Sequence, residues 1–219
     1  PGEKNEDWNP DYYDDAILDS DAYVGALFDH LRQTGQRANT LVILYSDHGL
    51  EWTTLDRVPL LFWFPGQEYA GAVQANVQLL DVAPTVLDYL DIAQPAWMSG
   101  RSLLSAPLPP ARPIFSAVVD EKLLRVTDDR KTWVVNQAAI HPPFYELGVV
   151  NLVVCGNWYS LDLGQARLTS GAVSGSTAAC DEAQIPDPGA AAQMIVQYLK
   201  AAHYDVSGLP AAIPFQASP

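Results

Sequence analysis

Residues 40–49, TLVILYSDHG, constrain this chain more than any other stretch. The apolar residues do not alternate with polar ones, which argues for a strand covered on both faces, as in a parallel sheet flanked by helices. A second such run, VPLLFWF at 58–64, is closed by the turn pair Pro65-Gly66. Both runs fall far short of the roughly 20 apolar residues that span a bilayer, so the chain offers no membrane segment. With 219 residues, 48% of them hydrophobic, it has the material for a sizeable core.

A helix precedes the first run. NPDYYDDAILDSDAYVGALFDHLRQTG places Asn9 as N-cap, Pro10 at the first helical position, acidic residues in the first turn and Gly35 just past the end. Its apolar stripe is Tyr13, Ile17, Val24, Leu27, Phe28 and Leu31. Further on, VQLLDVAPTVLDYLDI reads as a short strand and a helix with Asp81 as N-cap. Residues 1–104 are thus predicted to be α/β. LSAPLPPARP at 104–113 then interrupts with four prolines, too many for a regular element.

Residues 105–219 read as a small β-rich subdomain. PIFSAVVD, KLLRVTDD, KTWVVNQAA, GVVNLVVC and NWYSLDL are short runs separated by turn residues, which suits an antiparallel sheet. SGAVSGSTAA has loop composition. DPGAAAQMIVQYLKAAH predicts a final helix, capped by Asp187 and opened by Pro188, with Met194, Ile195, Tyr198, Leu199 and Ala202 on its apolar side. Cys155 and Cys180 are compatible either with one disulfide or with two unrelated thiols.

Charge narrows the partners. The net charge of −14 repels nucleic acid and anionic lipid, and an anionic substrate would need a local positive centre such as a metal. The tryptophans and tyrosines form no stacking stripe. Pro1 is not a translation start, and no leader follows it, so sequence upstream is expected to be missing.

The carboxyl ends of parallel strands open onto the crevice where ligands bind, and Ser46-Asp47-His48-Gly49 stands at such an end. Three consecutive residues cannot align nucleophile, base and orienter in series, so a hydrolytic triad is excluded. A carboxylate and an imidazole are ordinary ligands for zinc or manganese, and Gly49 lets the backbone turn so that neighbouring side chains converge. Two ligands do not make a site, and Asp47 and His48 could equally cap the segment that follows.

The stretch YYDDAILDSDAYVGALFDHLRQTGQRANTLVILYSDHG resembles the sulfatase and alkaline-phosphatase-like superfamily, in which a helix precedes a strand ending in Ser-Asp-His-Gly. VPLLFWFPG, the Asp-x-x-Pro-Thr of LLDVAPTVLDYLDI and the Gly-x-Ser-Leu of MSGRSLL follow in the family's order. The resemblance implies the C-terminal half of such a fold, with a small antiparallel sheet and terminal helix after it. It implies that Asp47 and His48 are ligands of a divalent metal. His48, where many sulfatases have Asn beside calcium, leans toward manganese or zinc and toward phospho-group transfer or phosphonate-type hydrolysis, so the implied enzyme is a hydrolase or a transferase. The implied substrate is a sulfate or phosphate ester, and the implied nucleophile lies upstream of Pro1, so no catalytic or substrate-binding residue is assigned here. Relatives of this kind often work outside the cytoplasm, which favours a periplasmic or secreted address and a Cys155–Cys180 bond.

The connector LEWTTLDR is shorter than its counterpart in the family, which leaves room for a different reading, a non-catalytic sulfatase-like scaffold. Glu51 and Arg57 in that connector read as solvated loop charges, and His30 as a helix C-terminal residue suited to the dipole. His141 and His203 have no partner at ligand spacing.

Overall fold

The computed structural model describes residues 9–49, 55, 57–105, 107–119, 124–126, 133–135, 147–176, 178 and 180–217. Backbone contacts divide the chain into two compact units, Pro1–Ala72 and Val73–Pro219.

In the first unit, helix α1 (Asn9–Gln33) ends at Gly35, which takes the left-handed φ of 71° that a helix C-terminus favours. Strands β1 (Val42–Tyr45) and β2 (Leu60–Trp63) follow. They pair with each other antiparallel, Val42 opposite Trp63 and Tyr45 opposite Leu60. The expectation of parallel strands buried on both faces is corrected here: the connector is short enough to return the chain directly alongside β1, and Leu44, Tyr45 and Leu61 remain exposed. Phe28 of α1 packs against Trp63, ring centroids 4.9 Å apart, and the Arg37 guanidinium lies over the same indole at 5.0 Å.

The second unit is built on a five-stranded mixed sheet. Strands β3 (Ile114–Val119), β6 (Leu147–Val154), β7 (Asn157–Asp162), β8 (Arg167–Ala172) and β9 (Phe215–Ala217) lie side by side in that order. Neighbours are antiparallel except β8 and β9, which are parallel. Strands β4 (Leu124–Val126) and β5 (Trp133–Val135) form a separate pair. Helix α3 (Pro188–Ala201) begins as its sequence predicts, with Asp187 accepting from the Ala190 N–H at 2.8 Å and Pro188 in the first turn. It buries Ala191, Ala192, Ile195 and Leu199 against the inward residues Val150, Leu152, Val154, Tyr159, Leu161 and Leu168, whose period of two sets the sheet's inner face. Tyr198 stacks on Phe115 at 4.3 Å, whereas Ala202 is exposed.

Strand β8 was not predicted, because its sequence RLTSGA shares the composition of the loop after it. It forms because each residue pairs with β7, and because Gly171 leaves room for the Trp158 ring, which a Cβ there would meet at 2.5 Å. Cys155 opens the two-residue turn from β6 to β7 and forms a disulfide with Cys180, their Cα atoms 5.8 Å apart.

Residues 79–103 pack around helix α2 (Val82–Tyr89). The predicted strand before it is instead a turn of 3-10 helix, Leu79–Asp81. Gly100 is buried so close to this turn that an added Cβ would lie 1.8 Å from the Leu80 carbonyl oxygen. That atom belongs to the backbone and cannot rotate away. Gly100→Ala is therefore expected to cost about 1–3 kcal/mol, read as a lower urea midpoint. A variant as stable as the parent would show that the 98–103 segment shifts freely.

Candidate functional site

The carboxyl end of β1 is organised by short-range hydrogen bonds. The Ser46 hydroxyl donates to the His48 carbonyl oxygen at 2.8 Å, and the His48 backbone N–H donates to Asp47 Oδ1 at 3.0 Å. His48 Nδ1 lies 2.8 Å from the Gly49 carbonyl oxygen. A carbonyl can only accept, so Nδ1 carries the proton, and in the neutral ring Nε2 is the nitrogen that bears the lone pair.

That Nε2 lies 3.7 Å from Asp47 Oδ1, with the Asp47 side chain 82% exposed and that of His48 33% exposed. The structure thus brings the two predicted ligands together on one turn, with the donor atoms at a separation that one small cation can bridge. Asp47 also accepts from the neighbouring backbone, which orients the carboxylate without burying it. No third His, Cys, Asp or Glu completes a metal cluster among the described residues.

His30 sits in the last turn of α1. His203 lies just beyond α3 with φ 63°. Arg57 lies in the short stretch before β2, while Glu51 and His141 fall outside the described residues.

Sequence reasoning missed the role of a different charged group. Asp81 does not cap α2 with its side chain; its carboxylate is fully buried and turned the other way. Arg112 grips it bidentately, Nη1 to Oδ2 at 2.7 Å and Nη2 to Oδ1 at 2.8 Å. The Gln78 and Arg101 backbone N–H groups donate to the same two oxygens, each at 2.9 Å. Thr85 donates to the Asp81 carbonyl oxygen at 2.6 Å and accepts from the Leu103 N–H at 3.1 Å. The Asp-x-x-Pro-Thr and Gly-x-Ser-Leu segments are therefore two halves of one structural clasp. A charge inside VQLLDVAPTV needs a buried partner, and Arg101 and Arg112 are the two cations in the sequence between residues 73 and 119. That was the available signal.

Nearby, the hydroxyls of Ser102 and Ser105 donate to Asp88 Oδ2, the second at 2.6 Å, and hold that exposed carboxyl below its usual range. The pair ties the Gly-x-Ser-Leu turn to the far end of α2.

Residues 2–92 match the model of the Sulfatase family. Over 105 residues the chain is 35% identical to arylsulfatase K of Bos taurus, a match covering 42% of this chain and 19% of that protein. It is 33% identical over 102 residues to the multifunctional alkaline phosphatase superfamily protein PehA of Trinickia caryophylli, covering 40% of this chain and 20% of that one. A solved structure described under glycosaminoglycan metabolism by Bacteroides thetaiotaomicron overlaps at a TM-score of 0.45 and 18% identity, over 67% of this chain and 32% of its own. The matched segments span about a fifth of the length of these two curated relatives.

Proposed function

We propose, for a chain that carries a segment of the sulfatase and alkaline-phosphatase-like superfamily over residues 2–92, that it is the C-terminal portion of a metal-dependent hydrolase of sulfate esters. Asp47 and His48 supply two ligands to its divalent metal. The observation that carries this reading is the pairing of Asp47 Oδ1 and His48 Nε2 on one turn at the end of β1, with the imidazole tautomer fixed by Gly49.

Within this chain, Ser46 and Gly49 hold the turn, the Nδ1–H bond keeps Nε2 aimed as a donor, and the Asp47 carboxylate adds negative charge beside it. The bound cation would polarise the ester oxygen and offset the repulsion between an anionic substrate and a protein of net charge −14. Carboxylate and imidazole together suit manganese or zinc, with calcium also accommodated by the carboxylate. Phosphate esters, with the same tetrahedral anionic shape, are the neighbouring substrate class. The nucleophile belongs to sequence outside these 219 residues, as do the remaining ligands. In this reading residues 1–104 are part of the α/β core and 105–219 the smaller subdomain. The Cys155–Cys180 bond supports an extracytoplasmic address.

The 219-residue chain alone is expected to bind manganese or zinc weakly, to lose that binding in Asp47→Ala, and to turn over neither aryl sulfate nor phosphate esters. Titration calorimetry and assays with added manganese, zinc and calcium check both points. Metal-dependent turnover abolished by Asp47→Ala would show the chain to be catalytically complete. A different reading, a non-catalytic scaffold, is favoured by the short connector after Gly49; it predicts that Asp47→Ala leaves metal binding unchanged.

A further inference from the structure

Successive side chains of an extended strand point to opposite faces, so neighbours such as Asp47 and His48 would face apart had the pleat of β1 continued past Tyr45. Their side chains meet at 3.7 Å, so the backbone turns there. Three hydrogen bonds shape the turn. Two are made by the proposed ligands themselves, from the His48 backbone N–H to Asp47 Oδ1 and from His48 Nδ1–H to the Gly49 carbonyl oxygen. The third comes from the half-buried Ser46 hydroxyl, which reaches across Asp47 and donates to the His48 carbonyl oxygen at 2.8 Å. That carbonyl shares a rigid peptide plane with the Gly49 N–H, so holding it limits where Gly49 can go. Glycine has a wide choice of backbone conformations, yet its carbonyl must stand in one place to receive the imidazole proton. Ser46 narrows that choice.

The consequence is chemical, because in a neutral imidazole only the nitrogen without the proton can ligate a metal. With Nδ1–H bonded to Gly49, that nitrogen is Nε2, the one beside the Asp47 carboxylate. Without that bond the proton is free to move to Nε2, and the lone pair then sits on Nδ1. We infer that Ser46 is a positioning residue: through the His48 carbonyl its hydroxyl selects the Nδ1–H tautomer, and so presents Nε2 beside Asp47 Oδ1 to a divalent cation. The choice of tautomer follows from this turn alone, whereas its use by a cation rests on the reading of Asp47 and His48 as ligands. A hydroxyl that merely closed the strand end would affect stability and leave the tautomer alone.

The test compares the 219-residue parent with Ser46→Ala, Ser46→Thr and Phe28→Leu. Nitrogen NMR of the metal-free chain, with the ring neutral, reads the His48 tautomer. The parent and Ser46→Thr are expected to hold the proton on Nδ1, and Ser46→Ala to shift it toward Nε2. Phe28→Leu loosens the packing of α1 on Trp63 without touching the turn, so its tautomer should match the parent's. Titration with zinc alone should then give a Kd about 10-fold higher for Ser46→Ala, restored by Ser46→Thr. An unchanged tautomer in Ser46→Ala overturns the inference. So does an equal shift in Phe28→Leu, which would make the tautomer a by-product of the stability of the unit, or a shift in Ser46→Thr, which would assign the effect to side-chain shape rather than to the hydroxyl. A shifted tautomer with unchanged zinc affinity overturns the role of Ser46 toward the cation. A parent that holds the Nδ1–H tautomer and binds no zinc, manganese or calcium would overturn the metal reading of Asp47 and His48 and leave the control of the tautomer by Ser46 standing.

Discussion

Arg112→Ala should lower the unfolding free energy of the 73–219 unit by about 3–5 kcal/mol, the usual cost of leaving one charge of a buried pair without its partner. Asp81 has 0% and Arg112 7% of their surface exposed, so water cannot replace the guanidinium without opening the clasp. The two backbone donors from Gln78 and Arg101 remain, but they do not neutralise the charge. Arg112→Lys keeps the charge and loses the planar fork, so its loss should be smaller. Asp81→Asn with Arg112→Met should cost less than Arg112→Ala alone, because no charge is then left buried. Urea unfolding followed by tryptophan fluorescence reads all three. A loss under about 1 kcal/mol for Arg112→Ala would mean that solvent reaches the carboxylate and that the clasp is looser than its distances imply.

Opening the Cys155–Cys180 bond has the next largest expected effect. The cross-link joins residues 25 apart, for which the chain-entropy estimate is about 3.5 kcal/mol. Cys155→Ser with Cys180→Ser should lower the melting temperature of the unit, and reduction of the parent should lower it equally. The two large effects should not add. Asn76 donates to the Cys155 carbonyl oxygen at 3.0 Å and accepts from Arg112 at 3.4 Å, so the disulfide and the ion pair share a neighbour. Combining Arg112→Ala with the cysteine variants should therefore cost less than the sum of the separate losses. Strict additivity would show Asn76 to be a spectator.

Local chemistry was legible in the sequence, and the Cys155–Cys180 bond was anticipated through the family resemblance, whereas the buried ion pair was not. The start of α3 follows from Asp187 and Pro188 because a cap is made within three residues. The turn at Asp47 and His48 was visible as a change from apolar to polar residues within one strand end. Strand β8 was missed because Thr169, Ser170 and Gly171 have no pattern of their own and depend on β7 for their conformation. The orientation of Asp81 was missed because its partner lies 31 residues away, beyond four prolines that read as a connector. The same contacts explain why the compact unit begins at Val73, while the change in composition falls at 104: the ion pair and the Asn76 bond reach across that change.

Those distances along the chain also set an order of events on the ribosome. At about 5–20 residues per second, Arg112 is made roughly 2–6 s after Asp81, and Cys155 roughly 4–16 s after Asn76. Until then the Asp81 carboxylate stays hydrated, and α2, eight residues long, is shorter than an isolated helix needs to persist in water. The 73–104 stretch thus leaves the ribosome as nascent chain without its clasp, open to chaperones. The clasp can close once Arg112 has emerged, ahead of the first strand of the sheet, whereas the Asn76 bond must wait for Cys155.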